Sequence, residues 1–460
     1  MMTSDNVSRR LFLGGSAAAA AAVAASAATA TAARASTVSA RASDGGTLKA
    51  GAGKSVIGIP ASILPTWDGF TALNDDLYVR VLLVDNGETS VAFAVYDMTG
   101  IDDPTFVPVL QDAINEITGV PADNVIVSVT HSFSAPHIFQ LSQETGTDLA
   151  NLETYRANTL AATKAAATSA YNSLQPARVG YGRGKSDVNV NRNVDTIDGW
   201  WLGTGEAGPS DKSVRVTRFD DLDGNPFAII CNYSVQSAVM ISSVMDDGAL
   251  PITSDLAGWA VDHVEGQYDG VTGFFLCGAT GDQFPTFMSN RYVIDKDKNW
   301  SMVDAHDGGW LLLTVQAERL GTEVVRVAQT IETTADPTIR LVTGSVTATE
   351  VTQGHPADPV TSYTWTPDGT IDMPVWVLQI GDGVFIGVEP ELSTETSLDI
   401  MAASPLPHAN IISNLAGGAK NMADIWNYDH ITYESVDSFL AKGTAEMVAH
   451  KAAQLLRTLR

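Results

Sequence analysis

The stretch "NVIVSVTHSFSAPH", Asn124–His137, decides how the chain is read. Its first half is short, apolar and β-branched, the pattern of a strand buried on both faces. Its second half is a polar loop that closes on Pro136. Two of the eight histidines, His131 and His137, fall in that loop. A neutral imidazole is both a metal ligand and a general base. Their spacing matches neither His-x-His nor His-x-x-x-His. A buried strand that delivers a histidine to a loop is the layout of an α/β protein whose site lies at strand ends.

The same alternation extends outward. "YVRVLLVD" (Tyr78–Asp85) and "SVAFAVYD" (Ser90–Asp97) read as a hairpin across "NGET". "VRVTRFDD" and "NPFAIICNYS" form another across "DLDGN". "VTGFFLCGAT" reads as a buried strand, as do "IRLVTGSVTAT", "PVWVLQIGD" and "GVFIGVE". Helices are expected over Thr105–Thr118 with a stop at Gly119, and over Ala150–Leu174, Ser254–Gln267, Trp310–Ile331 and Val436–Leu459. Hairpins beside βα units imply an α/β fold with a mixed β-sheet core flanked by helices. No linker breaks the pattern, so residues 48–460 read as a single large domain. Four strand exits stand out: Thr130–His137, Asn232–Val239, Gly278–Thr286 and Glu389–Thr394.

Composition narrows the function classes. The chain has 460 residues, 45% hydrophobic, and a net charge of −26. That surface repels nucleic acid and anionic membrane at long range. A lipid-like substrate would have to be met through a local apolar patch. Arg9 and Arg10 in "SRRLFLGG" precede an alanine-rich run too weakly apolar for a membrane anchor. Residues 1–42 therefore read as a twin-arginine export signal, cleaved near Ala40-Arg41-Ala42. Export permits a disulfide between Cys231 and Cys277. Both end apolar strands, and buried free thiols are expected.

In order along the chain, "AGAGKSVIGIP", "LNDDLYVRVLLVDNG", "YDMTGI", "VPADNVIVSVTHSFSAPH", "NRN" with "GPSDKSVRVTRFDDLDGNPFAIICNYS", "SDLAGWAVDHVE", "FFLCGATGDQFP" and "IGDGVFIGVEPELSTE" follow one family's motifs. The whole mature chain resembles the catalytic domain of neutral/alkaline (non-lysosomal) ceramidases. The resemblance implies that fold. It also implies an exported hydrolase cleaving the N-acyl amide of a ceramide-like or other amphiphilic substrate. In the family, zinc held by two histidines, a glutamate and a tyrosine polarises the amide carbonyl and activates water.

Carried over, the first zinc ligand is His131 and the glutamate is Glu391. The second histidine position reads Gln236, and Ala419 stands nearest the tyrosine position. Arg192 matches a substrate-binding arginine, and Asp282 sits in the glycine-rich catalytic loop "GATGDQFP". Phe133 and Phe284 replace a histidine and a serine. Zinc is thus the implied cofactor, with half of its ligands substituted. His137, Asp282 or Asp424 are the residues that could complete it. Three readings stay open: the amide hydrolase, a catalytically degenerate lipid- or ligand-binding protein, and a metal-free hydrolase using Ser132 or Ser134 with His131 and Asp282.

Overall fold

The computed structural model describes residues 46–418 and 420–459. The leader and Ala419 lie outside the described residues. The α/β fold with a mixed-sheet core and flanking helices is present, and three larger sheets build it, beside short two-stranded pairs. The first holds β1 (Lys49–Ile57), β2 (Leu77–Asp85), β3 (Ser90–Tyr96) and β4 (Val125–Val129), with Gln175–Pro176 at its edge. The second holds β5 (Arg178–Lys185), β6 (Ser213–Asp220), β7 (Pro226–Tyr233) and β8 (Thr272–Cys277). The third holds β9 (Ile339–Val351), β10 (Pro367–Ile380), β11 (Gly383–Val388) and β12 (His408–Ile412).

One plan recurs in all three. The first three strands meander antiparallel. A helix then crosses over to a fourth strand that runs parallel to the third: β3 with β4, β7 with β8, β11 with β12. The crossover helices are α1 (Phe106–Thr118), α3 (Asp255–Glu265) and α5 (Thr394–Ala402). Each pairs with the helix that follows its sheet: α2 (Gly146–Asn172), α4 (Gly309–Ala328) and α6 (Thr444–Leu456).

Strand alternation explains the continuous apolar runs. On β3, Ala92, Ala94 and Tyr96 face α1 and α2, while Val91, Phe93 and Val95 face inward. On β8, Phe275 and Cys277 face α3 and α4, while Phe274 and Leu276 face inward. On β11, Val384, Ile386 and Val388 face the third helix pair, and Phe385 faces inward. The inward faces of all three sheets form one shared core, where the Phe93 and Phe385 rings meet edge-on at 5.3 Å. Gly51 and Gly53 let α2 lie directly on β1. A Cβ at Gly53 would sit 2.6 Å from the Ala166 carbonyl oxygen.

Element boundaries shift in places. The expected helix Val436–Leu459 is a single turn at Tyr433–Val436 followed by α6, which begins only at Thr444. Gly443, at φ 95°, sets that late start. Helix α2 begins earlier than expected, at Gly146. Cys231 and Cys277 lie on neighbouring strands β7 and β8 as buried free thiols. No helix among the described residues is long and apolar enough to cross a membrane.

Candidate functional site

The four strand exits converge. His131 follows β4, Gln236 follows β7, Asp282 follows β8 and Glu391 follows β11. Backbone bonds lace the exits together: Phe133 N–H donates to Ser237 O, Gln236 N–H to Gln283 O, and Gly281 N–H to Leu392 O. All four polar side chains are buried, none above 3% exposed.

His131 sits at φ 54°, a left-handed conformation uncommon for a side-chain-bearing residue. That turn aims its ring back into the protein. Nδ1 lies 2.7 Å from the Thr99 carbonyl, which can only accept, so Nδ1 carries the proton and donates. Nε2 lies 2.9 Å from Oε1 of Glu391, in close contact but off the line of a hydrogen bond. The other Glu391 oxygen accepts from the Gln236 amide nitrogen at 2.8 Å. Gln236 in turn accepts from Arg192 Nη1 at 3.0 Å. Arg192 Nε donates to Glu434 at 2.5 Å and Nη2 to Asn421 at 3.3 Å.

The electrostatics follow from this chain of contacts. Burial alone would raise the Glu391 pKa, but His131, Arg192 and the Gln236 bond outweigh it and hold the carboxyl at about 2. Burial also opposes the Arg192 charge, and Glu434 and Glu391 overcome it. Asp282 is different. Burial pushes it up to about 7, against hydrogen bonds from Gln283 and Thr394. Its Oδ1 accepts from the Thr394 N–H at 3.0 Å and hydroxyl at 2.7 Å, so it anchors the start of α5.

Aromatic rings fill the two positions where the resemblance expects polar groups. Phe133 meets the His131 ring edge-on at 4.4 Å. Phe284 lies under the Arg192 guanidinium, 5.0 Å away. Both join Trp201, Ile241, Met288, Tyr292 and Tyr433 in an apolar cluster beside the polar chain.

The donor set does not fit zinc. His131 and Glu391 face each other as two ligands would, and the buried Nε2 lacks an aligned partner. Gln236 cannot be the third. Turning its amide over would set oxygen against carboxylate and NH2 against guanidinium. The three substitutes are engaged elsewhere. His137 contacts Asp68, Asp282 anchors α5, and Asp424 caps the helix Ile425–His430 through the Asn427 N–H. Among the described residues no three His, Cys, Asp or Glu side chains converge as metal ligands, and zinc sites use at least three. The serine alternative also lacks its geometry. Ser132 Oγ bonds to Ser254 O, and Ser134 Oγ to Asp255.

Three polar residues of this region escaped the sequence reading. Glu434 and Asn421 hold Arg192 from more than 200 positions away. Asp255, fully buried at φ 52°, accepts backbone N–H bonds from Val239, Met240 and Leu256 and the Ser134 hydroxyl. It ties the His131 loop to the Gln236 loop, and burial pushes it up to about 6. The "SDLAGW" motif contained it but carried no sign of that role.

These shifts predict a stability optimum on the acid side. Asp282 and Asp255 hold protons in the folded chain that the unfolded chain releases near pH 4. Stability therefore falls as pH rises from about 4 to about 7. Glu391 acts oppositely: its contribution is lost as pH falls from about 4.5 towards 2. The urea midpoint should peak near pH 4.5 and fall on both sides. Equal midpoints at pH 4.5 and 7.5 would contradict this.

Three helix-backed mixed sheets around a polar centre at their strand ends define an α/β protein of ceramidase-like fold. Two solved structures carry that statement. A neutral ceramidase from Pseudomonas aeruginosa matches with a TM-score of 0.65 at 17% identity, over 90% of this chain and 75% of that one. A ceramidase complexed with C2 matches with a TM-score of 0.65 at 16% identity, over 90% and 74%. No family model and no curated protein matches the chain.

Proposed function

We propose that this chain is an amphiphile-binding protein built on a ceramidase-like fold, one that does not cleave amides by zinc chemistry. One observation carries the reading. Both Glu391 oxygens and His131 Nδ1 are engaged inside the protein, and Gln236 locks Glu391 to Arg192. That leaves no third metal ligand, and the one unbonded nitrogen, His131 Nε2, faces the Glu391 carboxylate. The Phe133–Phe284 cluster supplies an apolar wall for a tail. A narrow cleft on it is lined by Phe284, Met288, Arg291 and Tyr292. With a net charge of −26, nucleic acid is not an expected partner. Export through the twin-arginine leader belongs to the same proposal.

A second reading, the exported amide hydrolase, draws on the convergence of all four strand exits with His131 facing Glu391. One experiment separates the two. Mature protein purified without added metal is analysed for zinc and titrated with a short-chain ceramide analogue. The expected result is saturable binding, no released fatty acid, and zinc well below one equivalent. Stoichiometric zinc, with turnover abolished by His131→Ala, would instead establish the hydrolase.

A further inference from the structure

A second polar feature lies where edge strands of the second and third sheets meet. A cleft of about 130 Å³ opens there, lined by Tyr181 and Arg183 of β5, Arg215 of β6, Met401 of α5, and His408 and Asn410 of β12. None of these residues belongs to the candidate site. The volume is room for several waters.

Its charge is unusual for this chain. Acids outnumber bases 53 to 27, yet Arg183 and Arg215 stand directly opposite each other across an antiparallel pair. Like charges so placed destabilise a sheet unless something lies between them. Asp211 pairs with Arg215 at 2.7 Å. Arg183 has only the Ser213 hydroxyl, taken by its Nε and Nη2, and no acidic partner among the described residues. Its Nη1, and the Nε and Nη1 of Arg215, donate to no described residue. His408, held flat against Tyr181 at 5.3 Å, adds a third nitrogen base to the rim. Asp382 stands 3.9 Å behind it. Burial, and to a lesser degree Arg183 itself, works against the Arg215 charge, while Asp211 sustains it.

We propose that this cleft binds a phosphate group, held between the Arg183 and Arg215 guanidiniums with His408 at the rim. Two guanidiniums present forked N–H donors that match tetrahedral phosphate oxygens better than a single carboxylate. An anion there would also relieve the facing charges. The amphiphile reading can fail without affecting this proposal.

The test is calorimetric titration of the whole mature chain with inorganic phosphate at constant ionic strength, with chloride and acetate as references. O-phosphoethanolamine serves as a second probe. One phosphate per chain should bind saturably, and Arg183→Gln should weaken it at least tenfold. Arg183 is exposed and its loss leaves the Arg215–Asp211 pair intact while removing the facing charge, so in chloride the variant should unfold at or slightly above the parent temperature. Phosphate should raise the melting temperature of the parent and not of the variant. Binding of both probes identifies a phosphate carried on a larger molecule, and binding of inorganic phosphate alone identifies the free ion. Either supports the site. Acetate binding as tightly as phosphate, binding of neither probe, or unchanged binding by Arg183→Gln would overturn it.

Discussion

Arg192→Leu should lower the unfolding free energy by about 3–5 kcal/mol, the cost of removing one partner of a buried ion pair. The reasoning starts from what the change leaves behind. Glu434 is completely buried, and one of its oxygens already lacks a hydrogen bond. Without Arg192 its other oxygen is orphaned too. Gln236 and Asn421 each lose a donor, and Gln236 is then no longer held with its nitrogen towards Glu391. Phe284 loses the cation over its ring. Arg192→Lys keeps a charge but not the three-way fork, so it should recover only part of the loss. Urea denaturation at pH 7 reads both variants. A loss under about 1 kcal/mol, the range of an exposed pair, would show that Arg192 is not the hub of this chain.

Asp255→Ala should be nearly as costly, on the order of 4 kcal/mol or more. Three backbone N–H groups and one hydroxyl would lose their acceptor in a dry interior, at about 1–3 kcal/mol for each unsatisfied group. Alanine also tolerates φ 52° less well than aspartate. Asp255→Asn keeps one acceptor oxygen and the same backbone preference, so it should lose roughly half as much. Hydrogen exchange supplies a second readout. Val239 and Met240 amides should lose protection in Asp255→Ala well before the β7 amides do. Uniform loss across the chain would mean that Asp255 does not latch the two loops.

The site was legible at the level of strand ends. Apolar runs that give way to polar or glycine residues marked exits near Thr130, Asn232, Gly278 and Glu389 from local pattern alone, although β7 itself runs on to Tyr233. The Asn232 and Gly278 exits lie side by side because β7 and β8 run parallel, but β4 and β11 belong to other sheets and their arrival at the same place was not legible. Sheet membership was not legible. A strand buried on both faces shows no alternation, so nothing in "FAIIC" or "GFFLC" says which face meets helices and which meets another sheet. The partners of Arg192 were hidden for a related reason. Glu434 lies on a one-turn helix 242 positions away, just ahead of the expected helix Val436–Leu459, in a stretch to which the sequence assigned no element. The choice between zinc ligand and amide at position 236 was visible in the residue itself. Only geometry showed which way that amide faces.

The threefold recurrence of three meandering strands, a crossover helix, a parallel strand and a closing helix bears on how such a protein can be built and broken. Each module turns one apolar face towards its own helices and the other, such as Phe93 and Val95 in the first or Phe274 and Leu276 in the second, towards its siblings. Cut out alone, a module would be an adhesive slab, prone to pair with whatever strand-rich surface it met. The polar centre belongs to no single module, because His131 comes from the first, Gln236 and Asp282 from the second, and Glu391 from the third. Truncating this chain at a module boundary should therefore take apart the polar centre and expose the shared core in one step, and no single module could carry that centre alone.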